Sequence, residues 1–420
     1  MTKRRNGGDE LRAPRISRRE FLKVTAAGLA GLMAGCRPAE QLGDTPTPTL
    51  GEQATALPTG MPTAAPTIAP TATPTIAPTA TPTIAPAATP TVALPPTSLS
   101  QVAIAQADTY ERALVRQQVE GLLDGLGGLG DVVDSGDRVA IKVNLTGGTY
   151  FQPPAGVSAT ESYFTHPEVV RALGELLRDA GARELRIVEA LFTKDSYAVS
   201  GYEEVAEALN ATLIDLNDPD PYNDFAIAPV GEGWFIYEGF VFNHILEEVD
   251  AFISVGKMKC HFNAGVTSAM KNLIGLVPVE HYRLETDHWW RSALHGASHE
   301  TQARLARVIL DLNRARPIHL ALIDGIKTAE GGEVPRGSFN PVEPGVLIAS
   351  KNAVSADAVA TAVMGFDPSI EPPNAPFLRG DNYLNMACEL GLGTNRLGEI
   401  ETVGAGISDV HCEFQPAWTM

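Results

Sequence analysis

The stretch AFISVGKMKCHFNAGVTSAMKNLIGLV, residues 251–277, is the segment around which the rest of the chain is arranged. Its first five residues form a largely apolar run and predict a short buried strand, 251–255. Glycines at 256, 265 and 275 indicate sharp turns or close approaches of the backbone. Five polar residues fall within 16 positions: Lys257, Lys259, His261, Lys271 and Asn272. In a chain of net charge -18, this basic segment is either an anion-binding site or a solvated basic turn.

The composition bounds the class of protein. The chain has 420 residues, of which 44% are hydrophobic, enough for one large domain or two ordinary ones. The excess of acidic residues disfavours nucleic-acid binding, and no basic stripe with interleaved aromatic residues is present. Cys36, Cys260, Cys388 and Cys412 form no Cys-x-x-Cys pair, so neither a ferredoxin-type cluster nor a zinc ribbon is predicted. A disulfide between Cys388 and Cys412 stays open.

The N-terminus carries an export signal. Residues 17–23, SRREFLK, look like a twin-arginine motif, and the apolar segment 24–34 that follows is too short to anchor a protein in a bilayer. The sequence LMAGC ends at Cys36 and resembles a lipoprotein cleavage box. We therefore expect residues 1–35 to be a signal peptide read by the twin-arginine machinery, with Cys36 lipidated on the outer face of the cell membrane. Plain cleavage, with Cys36 incidental, is the alternative.

A repetitive segment follows the signal. Residues 45–97 consist largely of Pro, Thr and Ala, and the unit PTIAPTAT begins at Pro66 and again at Pro74. Such a repeat cannot build a core, so residues 36–98 are predicted to be a disordered Pro/Thr-rich tether. In polyproline II conformation, roughly 50 residues at about 3.1 Å each would reach about 150 Å.

The remaining residues, 99–420, are predicted to form one α/β domain. Strands alternate with helices along the sequence, which predicts a largely parallel sheet with helices on both faces. The predicted strands are 102–105, 138–144, 184–190, 212–216, 235–242, 251–255, 319–324 and 346–350. Helices are predicted at 110–126, from 166 onward with Thr165 as N-cap, and at 202–209, 299–313 and 353–364, with a glycine-rich loop over 325–344.

Several polar residues fall at the carboxyl ends of predicted strands, where ligands collect in parallel sheets. The candidate catalytic residues are His261, whose ordinary pKa lies near neutrality, and Lys271. The candidate ligand-binding residues are Lys142, Asn144, Lys257, Lys259, Asn272, Asp324 and Glu330. Ammonium groups suit a carboxylate or a phosphate, so the expected ligand is a small anion. The alternative is that these lysines pair with neighbouring carboxylates.

Other candidates carry less specific patterns. His295 and His299 are four residues apart and could share a metal on one helix face, although HGASH lacks the glutamate of the zincin pattern. A lid or simple surface histidines are the alternatives. Cys260 lies between lysine and histidine, where a thiolate would be favoured. Asp357 is expected to pair with a strand-end lysine.

Several segments resemble the bacterial and archaeal family known as domain of unknown function 362. They are IKVN (141–144), HPEVV (166–170), KMKCH (257–261), KNLIG (271–275), DGI (324–326), ASK (349–351), DAV (357–359) and LGLG (390–393). The resemblance covers roughly residues 102–403 and implies a shared α/β body with an uncharacterised activity. Many family members carry an attached iron–sulfur module, which this chain lacks.

Three functional hypotheses follow, and no cofactor is assigned. The first is a membrane-tethered protein that binds a small anion and acts on it. The second is a binding or sensing module without turnover. The third, implied by the iron–sulfur relatives, is a redox or metal-dependent accessory protein.

Overall fold

The computed structural model describes residues 99–285, 291–297, 300–332 and 339–417. The predicted signal peptide, the predicted lipidation site Cys36 and the predicted tether lie outside the described residues, as does the candidate metal ligand His299.

Strands and helices alternate along the described part of the chain. The strands are β1 (Ser100–Gln106), β2 (Arg138–Lys142), β3 (Glu184–Glu189), β4 (Thr212–Asp215), β5 (Ala226–Pro229), β6 (Gly239–Phe242), β7 (Ala251–His261), β8 (Gly265–Thr267), β9 (Leu320–Glu330), β10 (Asn340–Val342), β11 (Val346–Ser350) and β12 (Ile400–Gly404). The α-helices are α1 (Arg112–Gly125), α2 (Ala159–Ser162), α3 (Pro167–Asp179), α4 (Ser196–Val199), α5 (Tyr202–Leu209), α6 (Ile245–Glu248), α7 (Ser292–His295), α8 (Thr301–Ala315), α9 (Ala353–Val363) and α10 (Tyr383–Glu389). Short 3₁₀ helices include Gly148–Tyr150, Lys271–Leu276 and Val279–Tyr282. Among these described helices, none has the length and apolar character needed to cross a membrane.

One mixed sheet organises the body. Its main path runs β12-β1-β11-β9-β7-β2-β3-β4, with β8 and β10 attached to β7 and β9. The neighbours from β9 to β4 are all parallel, whereas β11 runs antiparallel to both β9 and β1. Strand β2 has its successor β3 on one side and the much later β7 on the other. The strands that follow β2 in sequence, β3 and β4, extend the sheet on one side of β2, and the chain later places β7 on the other side. Such a change of direction is a topological switch point, which opens a crevice at the carboxyl ends of the strands.

Helices cover both faces of the sheet, because alternate strand residues point to opposite sides. Leu320 and Leu322 of β9 pack in one core with residues of α1 and α3. Ala321 and Ile323 pack in a second core with residues of α8, α9 and α10. The predicted α/β fold, largely parallel with helices on both faces, is confirmed.

The strand predicted at 251–255 is longer than its apolar run. β7 continues to His261, all eleven of its residues are buried, and β8 folds back against its second half. Lys257, Lys259 and His261 therefore lie within the sheet, and the solvated basic turn is wrong. The apolar pattern of the sequence did not predict this extension. Ammonium groups on a strand are stabilised by partners from distant parts of the chain, and a local pattern does not contain those partners.

Three other boundaries differ from the sequence predictions. β9 runs on to Glu330 through the first part of the predicted glycine-rich loop. The strand predicted at 235–242 is ordered as strand only from Gly239. The N-cap of α3 is His166 rather than Thr165, because the His166 Nδ1 atom accepts the Glu168 amide at 3.2 Å.

Candidate functional site

Asn272 fills the gap where β2 and β7 part, after the paired residues Lys142 and Ser254. Its Nδ2 atom donates to the Lys142 carbonyl at 3.2 Å and to Ser254 Oγ at 3.1 Å. Its Oδ1 atom accepts from Lys142 Nζ at 3.2 Å and from Asn144 Nδ2 at 3.4 Å. The fold thus brings Lys142, Asn144 and Asn272 together at the switch point, a place we call the β2–β7 crevice.

Lys142 is held by a carboxylate that sequence reasoning missed. Its Nζ atom lies 2.9 Å from Glu189 Oε2, and both side chains are almost fully buried. Burial lowers the pKa of Lys142 to about 8, against the opposing charge of Glu189. Burial likewise raises the pKa of Glu189, and Lys142 and Arg291 oppose that rise. The available signal was an acidic residue ending the strand that pairs with β2.

Two further basic side chains, Lys271 and Arg291, lie close enough to Lys142 for their charges to act on it. Lys271 and Arg291 both lower the Lys142 pKa further by charge repulsion. Arg291 is 3% exposed, donates to the carbonyls of Ala190 and Val277, and lies 5.3 Å from the Phe192 ring centroid. Lys271 begins the 3₁₀ helix Lys271–Leu276 and is 8% exposed. We call Lys142, Lys271 and Arg291 the cationic cluster; no sequence pattern indicated Arg291.

Gly275 allows the cationic cluster and its carboxylate to approach the backbone. A Cβ atom at this position would lie 2.7 Å from Lys142 Nζ and closer still to Glu189 Oε1. The Gly275 carbonyl also accepts the Ala190 amide at 2.9 Å. The glycine at 275 is therefore explained by a close approach, as its position in the sequence indicated.

His261 presents a proton rather than a lone pair. Its Nδ1 atom accepts from the backbone amides of Asn263, at 3.1 Å, and Ala264, at 3.0 Å. A nitrogen that faces two donors carries no proton, so a neutral His261 ring holds its proton on Nε2. The ring is therefore arranged as a hydrogen-bond donor through Nε2.

His295 lies near His261, with ring centroids 6.4 Å apart, and its Nδ1 atom is 3.3 Å from the Arg291 carbonyl. Within the residues that the structure describes, no group of three or more His, Cys, Asp or Glu side chains is placed to hold a metal ion. The candidate pair His295 and His299 stays a prediction, because His299 is outside those residues.

Lys257 and Asp324 form a second buried ion pair. Lys257 Nζ contacts Asp324 Oδ2 at 2.9 Å, Tyr110 Oη at 2.8 Å and the Glu161 carbonyl at 2.7 Å. These three partners use all three protons of the ammonium group. Asp324 also accepts the His166 amide at 3.0 Å. Both residues therefore serve the packing of β7 and β9 against α2 and α3, as the carboxylate-pairing alternative anticipated.

The contacts of Lys259 and Glu330 also stabilise the fold. Lys259 is 2% exposed, and its Nζ atom lies 3.5 Å from the Tyr163 ring centroid, a cation–π contact. Glu330 ends β9 and accepts the Gln415 amide at 2.6 Å, tying down the C-terminal segment. Neither residue is placed in the β2–β7 crevice by these contacts.

The expectations for the cysteines and Asp357 need correction. Burial raises the pKa of Cys260 to about 12, so a thiolate is disfavoured there rather than favoured. Cys388 and Cys412 are both free thiols. Within the described part of the chain Asp357 pairs with no lysine, and it accepts the amides of Ala269 and Met270.

Residues 139–362 match the family described as domain of unknown function, DUF362. The chain belongs to this family. The match includes the cationic cluster, Glu189, Asn272 and both buried ion pairs.

Three individual proteins are also similar to this chain. The chain is 28% identical over 282 residues to thylakoid-associated protein sll1697 of Synechocystis sp., covering 66% of this chain and 78% of that protein. A crystal structure of a Thermotoga maritima protein aligns at 14% identity with a TM-score of 0.32, over 68% of this chain and 60% of that one. The lactate racemase apoprotein of Thermoanaerobacterium thermosaccharolyticum aligns at 14% identity with a TM-score of 0.36, over 64% of this chain and 58% of that one.

Proposed function

We propose that this protein binds a small anionic ligand at the β2–β7 crevice while it is tethered outside the cell membrane through lipidated Cys36. One observation carries the binding proposal: three basic side chains, each less than a tenth exposed, converge at the switch point of the sheet. The tether rests on the export motif, Cys36 and the Pro/Thr-rich segment of the sequence.

The convergence of like charges carries an electrostatic cost, which Glu189 and Asp215 reduce at Arg291. A buried cation loses its hydration, and neighbouring cations repel one another more strongly in a medium of low dielectric constant. Glu189 compensates Lys142 directly, whereas Lys271 and Arg291 add repulsion to it. A carboxylate, sulfate or phosphate group beside Lys271 would relieve that repulsion and accept charge-assisted hydrogen bonds.

The same groups suit a chemical step. His261 holds its proton on Nε2, where the ring would donate a hydrogen bond to negative charge on a ligand. Lys271 would stabilise negative charge that develops on the ligand. These two residues are the catalytic candidates of the first hypothesis.

A binding or sensing module without turnover is the second candidate. It is favoured by the saturation of the polar groups around the crevice. Asn272 makes hydrogen bonds with both ends of its amide, and Lys142 donates all three of its protons, to the Val143 carbonyl, Glu189 and Asn272. Such groups hold a geometry and have little capacity left to take part in a reaction.

Titration calorimetry with sulfate and with acetate tests the anion site. We expect Lys271→Gln to weaken sulfate binding by tenfold or more, about 1.4 kcal/mol, because a charge-assisted contact is lost. The matched control is Lys351→Gln, which removes a lysine that pairs with Asp131 at the surface and should leave the affinity unchanged. Native mass spectrometry of the exported protein would identify a co-purifying anion. Equal sulfate affinity in both variants and the parent would rule out the site.

A further inference from the structure

The turn that precedes Lys271 and Asn272 is held by α9, which packs in the same core as Ala269 and Met270. Asp357 of α9 accepts the Ala269 amide through Oδ1 at 2.8 Å and the Met270 amide through Oδ2 at 3.1 Å. Tyr383 of α10 donates its hydroxyl to Asp357 Oδ2 at 3.1 Å. One carboxylate therefore accepts three donors, two of which belong to the backbone that leads directly into the cationic cluster.

Other contacts of this turn use its carbonyl groups. Ser254 Oγ donates to the Ala269 carbonyl at 2.8 Å, and Asn313 Nδ2 donates to the Met270 carbonyl at 3.0 Å. Asp357 is thus the side chain that accepts hydrogen bonds from the two backbone amides of the turn. The turn also lies tightly on β7, because a Cβ atom at Gly256 would come 2.5 Å from the Ser268 carbonyl oxygen.

The surroundings of Asp357 are otherwise apolar. It is fully buried, and the strands packed against α9 present Ile104 of β1, Ile323 of β9 and Ile348 of β11 on this face. Within the described residues, the groups that act on its charge are the two amides and the Tyr383 hydroxyl. No Lys, Arg or His side chain among those residues compensates the carboxylate, unlike Glu189 and Asp324.

We propose that Asp357 is a positioning residue of the anion site: its ionised form holds Lys271 and Asn272 at the β2–β7 crevice, and its protonation loosens them. The functional consequence, weaker anion binding on acidification, rests on the proposed anion site. The loosening of the turn does not depend on that site.

The chemistry of the carboxyl group explains the loosening. An ionised carboxylate accepts on both oxygens, whereas a protonated one carries a donor on one of them. On either oxygen that donor competes with the amide N–H that the oxygen accepts, and loss of the charge weakens both amide contacts with the turn. Burial raises the pKa of Asp357 to about 7, with the amides and Tyr383 opposing the rise. Burial, together with the charge of Asp357, keeps the pKa of Tyr383 well above its usual value, so the phenol stays a donor.

Hydrogen exchange of the Ala269 and Met270 amides, without added ligand, tests the positioning role. We expect protection factors, corrected for intrinsic exchange, to fall about tenfold as the pH drops from 8.5 to 5.5. Asp357→Asn, which accepts on one atom only, should show low protection that does not vary with pH. Tyr383→Phe removes a donor that favours the ionised carboxyl, so its transition should move to higher pH. Asp367→Asn, at an exposed turn, is the control.

Sulfate binding provides the second arm, because sulfate keeps its charge over this pH range. Protonation of basic groups at the site would strengthen sulfate binding on acidification, whereas release of the turn weakens it about tenfold. We expect weakening on acidification in the parent, whereas Asp357→Asn should bind sulfate weakly at pH 8.5 and should not weaken further as the pH falls. Protection that is constant with pH in the parent would overturn the proposal, whether or not the Asn variant folds. A pH-dependent protection without sulfate binding would support the hold of Asp357 on the turn and refute the anion site.

Discussion

Single residues decide what the basic segment of this chain does. Lys142 and Lys257 stand on neighbouring parallel strands, yet each is buried against its own carboxylate, Glu189 and Asp324. Lysine buried in this way is stable only when its charge is compensated. The same residue type therefore serves as internal structure at 257 and, at 271, as the cluster lysine that reaches the protein surface most closely.

The Lys257–Asp324 pair makes a prediction at this scale. Asp324→Ala should lower the free energy of unfolding by about 3 to 5 kcal/mol, because it leaves a buried ammonium group without its carboxylate. Urea unfolding measures the change. The double variant Lys257→Met/Asp324→Leu should recover much of the loss, since no buried charge remains.

A surface pair supplies the control for that experiment. Arg396→Ala breaks an ion pair with Glu399 whose side chains are 68% and 50% exposed. It should cost less than about 1 kcal/mol. A loss of similar size for Arg396→Ala and Asp324→Ala would contradict the structural role of the buried pair.

At the scale of elements, β7 and the turn before Lys271 form one unit. The first half of β7 is an ordinary apolar strand, and its second half pairs with β8 and carries the buried cations. Gly256 lies at the junction and lets the turn at Ser268 rest on the strand. The site is thus built by a strand and a returning turn rather than by a loop that leaves the sheet.

The variant Gly256→Ala tests the close contact between β7 and this turn. The added methyl group meets backbone at 2.5 Å, which cannot rotate away, so we expect a loss of about 1 to 3 kcal/mol in the free energy of unfolding. The matched control is Gly121→Ala on α1, where nothing lies within 4 Å of the new Cβ atom. That change should be neutral or stabilising by up to about 1 kcal/mol, because alanine favours helix. Equal thermal unfolding of the two variants would disprove the close packing.

At the scale of the whole molecule, we expect the free energy of unfolding to fall at acidic pH because of His166. This residue caps α3 and stacks on Tyr110, with ring centroids 3.6 Å apart. Burial lowers its pKa to about 4. The unfolded chain then takes up a proton below about pH 6.5 that the folded protein refuses until about pH 4, so stability falls as the pH drops through this window.

His166→Asn keeps an oxygen acceptor for the Glu168 amide and removes the titration. We expect the loss of unfolding free energy between pH 7 and pH 4.5 to be about 2 kcal/mol smaller in this variant than in the parent. Urea unfolding at the two pH values measures it. The exposed His411→Asn change serves as control, and an identical loss in His166→Asn and the parent would show that His166 is not responsible.

Local sequence pattern was sufficient for the elements and the fold class. The apolar runs at 138–142, 184–189 and 346–350 and the amphipathic helices fall where they were predicted, because strand and helix periodicities arise from contacts between near neighbours. The sequence analysis also placed Lys142 and Asn144 at a strand end and Asn272 in the basic segment, and the structure brings these three side chains into contact.

The tertiary structure decided the partners. Glu189 lies 47 positions from Lys142, and Asp324 lies 67 positions from Lys257. Arg291 and Asp357 reach the same region from later segments of the chain, Asp357 from a helix that packs in the same core as the turn before Lys271. Whether a lysine is internal or offered to a ligand depends on which charge the fold brings within about 3 Å and on how much water remains there. Those quantities are set by contacts between distant segments, so the amino-acid sequence located the basic groups, and only the packed sheet determined the role of each.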